Sequence, residues 1–296
     1  MHSLIKFEKS VALVLLLSSL SLALNALAPT AHSHPHPSRT TLYHDFVIVI
    51  PSYNNQRWCQ ANIYSALNQD YPAQHFRIIF VNDCSTDQTS ALVRTTLSLY
   101  PKHRQVTVID NPERRGALQN FYDIITNRCR PDEIIVTLDG DDQLKDTAVL
   151  SYLNQVYADA NIWLTYGSYD FWPSRPNLIA GAAAYPKGVV AAGTFRQHGF
   201  SATHLRTFYA GLFHKIKLTD LQDQTGQFWQ VCPDLAIMFP LLEMAGERAH
   251  FIAKILYRYN TINPLAENQV RLAQTRQFGV EFDQKAPYQR LAVRDW

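Results

Sequence analysis

The chain has 296 residues, 47% hydrophobic and 18% charged, enough to bury one large core or two small ones. A net charge of +2 excludes the strongly basic profile of an electrostatic nucleic-acid binder. The four cysteines, Cys59, Cys84, Cys129 and Cys232, contain no CxxC pair, which argues against a disulfide scaffold or a thiolate zinc site.

At the N-terminus, Lys6 and Lys9 precede an uncharged apolar run over residues 11–28. Residues 1–28 therefore read as a signal sequence or membrane anchor, with a buried core helix as the lesser option. Ala26-Leu27-Ala28 has the small-residue pattern of a cleavage site, but Pro29 directly behind it disfavours cutting. Lysines ahead of the run favour an N-terminus in the cytoplasm, so a spanning segment would put the rest of the chain on the far side. That side suits a secretory lumen; a non-spanning tether would leave the chain facing the cytoplasm. Residues 29–45, rich in Pro, His and Ser, read as a linker. His32, His34 and His36 alternate there and fit a solvated tether better than a metal site.

From Phe46 the pattern becomes regular. Residues 46–50, 77–81, 105–109, 133–138 and 162–166 are short apolar runs rich in β-branched residues and predict strands. Between them, Cys59, Ile63, Ala66 and Leu67 mark one helical face, and residues 85–99 a second helix opened by Ser, Thr and Asp capping types. Leu118, Phe121, Tyr122 and Ile125 mark a third, and Val149, Leu153, Val156 and Tyr157 a fourth. Strand–helix alternation with continuous apolar strands implies a mostly parallel sheet covered on both faces. Ligands of such sheets bind beyond the carboxyl ends of the strands. Polar clusters stand there: Ser52-Tyr53-Asn54, Asn82-Asp83, Asn111, and the acidic run at 139–142.

Several α/β chemistries fail on spacing. The first strand ends in PSYNNQ, without the GxGxxG of a dinucleotide site, and no GxxxxGK[ST] phosphate loop occurs. Counted from Asp139, the fifth and sixth positions are Gln143 and Leu144, against an EF-hand loop or an aspartyl-phosphate DxDxT motif. Asp-x-Asp at a strand end remains. Residues i and i+2 of extended chain point the same way, so Asp139 and Asp141 can share one hard cation, Mn²⁺ or Mg²⁺. Alternatively one meets the cation and the other a ribose hydroxyl.

PSYNN (51–55), VNDCSTDQT (81–89), NPERRGALQN (111–120) and LDGDD (138–142) together resemble the ordered motifs of family 2 glycosyltransferases. Over residues 46–167 the resemblance implies the GT-A fold, a mostly parallel central sheet with helices on both faces. It implies a nucleotide-sugar donor, with a UDP-sugar favoured, and hexosyl or N-acetylhexosaminyl transfer to a glycan, lipid or protein acceptor. On it, Pro51, Tyr53 and Asn54 line the base pocket and Asp83 accepts the base's ring N–H. Asp139 contacts the ribose or a metal-bound water, and Asp141 ligates the metal. Arg115, with Arg114, meets the donor phosphates or lies on a surface loop. Asp87 supports its loop or caps the next helix; Asp142 is solvated or a loop hydrogen-bonder; Gly116 serves a close-packed turn.

An inverting transferase also needs a carboxylate base for the acceptor hydroxyl. The matching stretch is CPDLAIMFPLLEMAG (232–246), where Asp234 takes the second place of the family's acidic pair and Pro233 replaces the first. Asp234 reads as base or as helix cap, and Glu243 and Glu247 as solvated face. His204 and Arg206 lie on an extended segment or turn, suited to the diphosphate, the acceptor or plain packing. The late family histidine is missing from residues 256–264, where Asn260 and Asn263 stand, so the metal's third ligand is open. QTRQF (274–278) is only a distorted echo of the processive Gln-x-x-Arg-Trp motif, which favours single addition. Residues 46–167 form the nucleotide-binding half, 168–265 the acceptor half, and 266–296 a tail. Two alternatives stay open: a nucleotidyltransferase, which lacks its Gly-x-Gly-x-Arg loop here, and a non-catalytic sugar-nucleotide or glycan binder.

Overall fold

A computed structural model describes residues 42–100, 103–175, 182–264 and 272–296. The expected signal or anchor, and the linker up to residue 41, lie outside the described residues. Strand β1 (Phe46–Ser52) shows why the apolar runs are continuous. Val47 and Val49 enter one core, whereas Phe46, Ile48 and Ile50 enter the core on the opposite face. A strand buried on both sides has no polar face to alternate with.

The first half follows the expected order: α1 (Cys59–Leu67), β2 (Phe76–Asn82), α2 (Thr89–Ser98), β3 (Val106–Asp110), α3 (Ala117–Arg128), β4 (Ile134–Thr137), then α4 (Val149–Val156). β1, β2, β3 and β4 pair in parallel, and their carboxyl ends share one edge. Helix α2 starts later than residue 85 because the Asp87 carboxylate accepts the Thr89 N–H at 2.9 Å. Its other oxygen accepts the Gln56 N–H at 3.0 Å, so Asp87 supports its loop as well as the helix start.

The second half departs from the simple alternation. Between β4 and α4 lies the two-residue β5 (Gln143–Leu144). The expected fifth strand is β6 (Leu164–Trp172), and it does not adjoin β4. The three-residue β7 (Thr207–Tyr209) lies between them, antiparallel to both. β8 (Ala249–Asn260) then pairs in parallel with β6, giving the order β3-β2-β1-β4-β7-β6-β8-β5 among the described residues. The sheet is thus mixed, with β7 and β5 its antiparallel strands and the remaining pairs parallel. Three residues carry too little periodicity for β7 to be read ahead of the fold.

Short helices α5 (Lys187–Ala192), α6 (Phe195–His198) and α7 (Ala210–Phe213) cover the second half, with α8 (Pro233–Ala245) and α9 (Leu272–Asp283). Residues 272–296 are more than a tail. Phe278 and Phe282 of α9 are core residues, and Trp296 packs edge-on to Trp163 with ring centroids 5.3 Å apart. Glu243 is likewise no solvated face: it is buried, and Arg196 meets it through Nε at 2.6 Å and Nη2 at 2.9 Å.

Candidate active site

The carboxyl ends of β1, β2 and β4 border a cavity of about 590 Å³, and the start of α8 lines it as well. The acidic turn forms its floor. Asp142 N–H donates to the Asp139 carbonyl at 3.0 Å, and Asn62 Nδ2 donates to the carbonyls of both Asp139 and Asp142 at 2.8 Å. Asn62 sits on the buried face of α1 and carries no sequence signal of its own, so only the fold reveals this clamp. Gly140 lets the turn lie directly on β1: a Cβ there would stand 2.6 Å from Ser52 Oγ and 2.8 Å from Asn55 Nδ2.

Each carboxylate of the turn has a distinct environment. Asp142 is buried and accepts the Tyr257 hydroxyl at 2.7 Å and the Asn260 N–H at 2.6 Å. It is therefore a hydrogen-bonded strut and not a solvated group. Asp141 accepts Asn263 Nδ2 at 2.6 Å. The two asparagines standing where the family histidine was expected thus serve the acidic turn directly. Burial pushes the Asp139 carboxyl up to about 6; Asp141 and Asp234 push the same way, while the Arg206 guanidinium opposes them. Burial also raises Asp141, and it raises Asp142 well above the usual range with help from Asp141 and Asp139.

His204 enters this cluster from the segment before β7. Ligand atoms of Asp139, Asp142 and His204 lie within 4.8 Å of one another. The imidazole stacks on Tyr257 at 4.3 Å, and burial, then Arg206, holds its pKa well below the ordinary value, so it is neutral and able to ligate. Carboxylate oxygens with a neutral imidazole fit Mn²⁺ or Mg²⁺, and the raised carboxyls are those a cation would relieve. The trio differs from the expected pair: Asp139 belongs to it and Asp141 stands beside it.

The nucleotide side brings together some expected residues and turns others away. Pro51, Tyr53 and Asp83 border the cavity. Asp83 is buried and accepts Arg115 N–H at 2.9 Å, Gly116 N–H at 2.8 Å and Asn111 Nδ2 at 2.9 Å, so it anchors the 111–116 loop from the cavity wall. Asn54 faces away: its Oδ1 accepts the Thr86 N–H at 2.8 Å, tying β1 to the loop before α2. Arg115 does not line the cavity either, because its guanidinium pairs with Asp123 at 3.0 Å. Arg114 lines it instead and stacks over the Tyr53 ring at 3.8 Å. Gly116 keeps its turn role; it has φ 86°, and a Cβ would meet Gln230 Oε1 at 2.6 Å. Asn120 Nδ2 and the Trp229 indole N–H, both on residues of the cavity wall, have no protein acceptor among the described residues.

Asp234, also on the cavity lining, is the second residue of α8. Its Oδ2 accepts Arg206 Nη2 at 3.0 Å and its Oδ1 the Leu235 N–H at 3.0 Å. The Leu235 bond is local to the first turn, whose N-cap is Cys232, so Asp234 is a first-turn carboxylate on the cavity lining and not the cap.

The family model described as "Glycosyl transferase family 2" matches residues 47–209. The minor teichoic acid biosynthesis protein GgaA of Bacillus subtilis is 27% identical over 232 residues, covering 72% of this chain and 46% of that protein. Poly(ribitol-phosphate) β-N-acetylglucosaminyltransferase TarS of Staphylococcus aureus is 38% identical over 48 residues, 16% of this chain and 8% of that one. The chain therefore spans less than half the length of either curated relative. TarS residues 1–349, solved with UDP-GlcNAc, superpose with a TM-score of 0.53 at 15% identity, covering 74% of this chain and 59% of that one. A Pyrobaculum calidifontis mannosyltransferase solved with GDP-Man and Mn²⁺ gives 0.55 at 16% identity, over 84% and 67%. At such identities the structural likeness concerns the fold.

Proposed function

The chain belongs to glycosyl transferase family 2, and from that premise we propose a cation-dependent, inverting, single-addition transferase using a UDP-sugar, with Asp234 as its base. One observation carries the reading: Asp139 and Asp141 at the end of β4, and Asp234 at the start of α8, border one cavity with Tyr53 and Asp83. In an inverting displacement the acceptor oxygen attacks the anomeric carbon from the face opposite the leaving diphosphate. A donor side and a carboxylate base bordering the same cavity suit that geometry.

In this reading the donor's nucleobase lies against Tyr53 and Asp83, with Arg114 moving from the Tyr53 ring to admit it. Asp139, Asp142 and His204 would hold the cation, with Asp141 beside them. When bound, the cation neutralises the departing diphosphate as a Lewis acid. Asp234 takes the proton from the acceptor hydroxyl as the new glycosidic bond forms. Because TarS is named for N-acetylglucosamine transfer and has been solved with UDP-GlcNAc, that donor is tried first.

Calorimetry with UDP, with and without Mn²⁺, on the wild-type protein and Asp141→Ala tests the donor site. Mn²⁺-dependent binding that weakens at least about tenfold in Asp141→Ala is expected, as for loss of a charged group beside a metal. Binding indifferent to Mn²⁺ and to the substitution would remove the cation from the reaction, and binding of GDP in preference to UDP would reassign the donor. Asp234→Asn should keep UDP binding and lose turnover. A sugar-nucleotide binder without catalysis would show no turnover to lose.

A further inference from the structure

We infer that Arg206 is the positioning residue of Asp234, fixing both the direction of that carboxylate and its spacing from the Asp139 turn; this rests on the reading of Asp234 as the base. Arg206 is joined to the two walls of the cavity by different parts of itself. Its carbonyl accepts the Thr137 N–H at 3.2 Å and the Thr137 hydroxyl at 3.3 Å. Thr137 ends β4, two residues before Asp139. Its guanidinium reaches the other way, donating through Nη2 to Asp234 Oδ2 at 3.0 Å. The backbone of one residue is thus tied to the donor strand while its side chain holds the base.

The guanidinium is itself held. Nε donates to the Ala202 carbonyl at 2.9 Å, and Nη2 lies 3.5 Å from His204 Nε2. Arg206 is only 7% exposed, and a charge so buried needs compensation. Asp234 supplies it by contact and Asp139 by proximity. Asp234, in contrast, has little else to aim it. Its other bond among the described residues comes from the adjacent Leu235 N–H, which moves with the helix end and sets no distance to the sheet. The carboxylate keeps an open acceptor site on each oxygen, because each lone-pair pair is used once. Arg206 therefore orients the group without exhausting it.

The planar fork matters as well as the charge. A lysine offers one compact point charge and cannot hold the Ala202 carbonyl and Asp234 in the same fixed geometry. Arg206→Lys should consequently restore only part of what Arg206→Met removes.

The test uses the full chain as wild type, Arg206→Met, Arg206→Lys, Asp234→Asn and the Arg206→Met/Asp234→Asn double variant. Three readouts are taken: calorimetry with UDP and Mn²⁺, UDP release from UDP-GlcNAc with water as acceptor, and crystal structures of wild type and Arg206→Met. A positioning role predicts UDP binding within about threefold of wild type in Arg206→Met and about a 100-fold lower kcat with donor KM little changed. It also predicts no further loss when Arg206→Met is added to Asp234→Asn, and an Asp234 carboxylate turned from its wild-type orientation in the Arg206→Met crystal. Loss of UDP binding in step with turnover, or the same loss in the Asp234→Asn background, would overturn it by showing that Arg206 acts on the donor. An unmoved Asp234 in the Arg206→Met crystal overturns it whether or not UDP-GlcNAc is turned over. Full turnover by Asp234→Asn would instead sink the base assignment, an outcome distinct from any result on Arg206 alone.

Discussion

Asp139 and Asp142 hold their protons to higher pH in the folded chain than an exposed carboxyl does, Asp139 to about 6, chiefly through burial. The folded state therefore binds more protons than the unfolded state between the ordinary carboxyl range and about 6. Without a cation, ionising the turn costs stability as pH rises through that window, and the cost disappears below it. A cation reverses the preference, because it binds only the ionised groups. Mn²⁺ is thus expected to raise the melting temperature at about pH 7.5 and to lose that effect by about pH 5, its affinity falling roughly tenfold per pH unit for each proton displaced. Thermal melts across pH with and without Mn²⁺ check this; an equal shift at both ends would mean that the cation binds elsewhere. The acidic run was legible as a unit at a strand end. The pairing of Asp139 with Asp141 expected from strand alternation was not met, because β4 ends at Thr137 and the run is a turn that brings Asp142 beside Asp139. Nor was the place of Asn263 on Asp141, or of His204 beside Asp139, legible, since each comes from more than 60 residues away in the chain.

At the scale of elements, the acidic turn is one packing unit with the end of β1. Gly140 is the residue that permits it, since a Cβ would come within 2.6 Å of Ser52 Oγ and 2.7 Å of Ser52 Cβ. Gly140→Ala must push the turn off the strand, at a stability cost of about 1–3 kcal/mol by the overpacking rule. Because the carboxylates move with the turn, Mn²⁺-dependent UDP binding is expected to weaken by about tenfold or more, a fall of roughly 1.4 kcal/mol or more. Calorimetry beside a urea melt separates the two effects, and a variant with wild-type UDP affinity would show that the turn tolerates displacement. The β–α units of the first half were readable because each buries its own apolar stripe. β7 was not, because three residues hold no period and its partners β4 and β6 lie on separate parts of the chain.

Across the whole molecule, the C-terminal residues are bound to the body by a buried ion pair. Glu243 takes the Arg196 guanidinium on one side and the Tyr288 N–H at 2.9 Å on the other, while Arg196 Nη1 donates to the carbonyls of Phe282 and Lys285, each at 3.0 Å. Glu243→Ala would leave a buried guanidinium uncompensated, a loss of about 3–5 kcal/mol. A melting temperature lower by at least about 6 °C is expected from that loss; a shift under about 2 °C would mean that the 282–288 segment is held by packing alone. The apolar run at 11–28 poses a separate question, because no helix among the described residues is long and apolar enough to cross a membrane. If that run tethers the protein, the full chain should sediment with membranes and the chain from Leu42 onward should not; equal partition of both would remove the tether.

The sequence by itself determined the β–α order from Phe46 to the acidic turn, the position of that turn at a strand end, and the membership those motifs carry. Each of these is written locally, in apolar periodicity and in short motifs at strand ends. Only the tertiary structure decided which guanidinium pairs with Asp234, which arginine of the 114–115 pair lines the cavity, and that α9 contributes to the core. Arg206 meets Asp234 across 28 positions and Glu243 meets Tyr288 across 45. Such contacts depend on how helices and strands pack, and the spacing of residues along one element does not encode them.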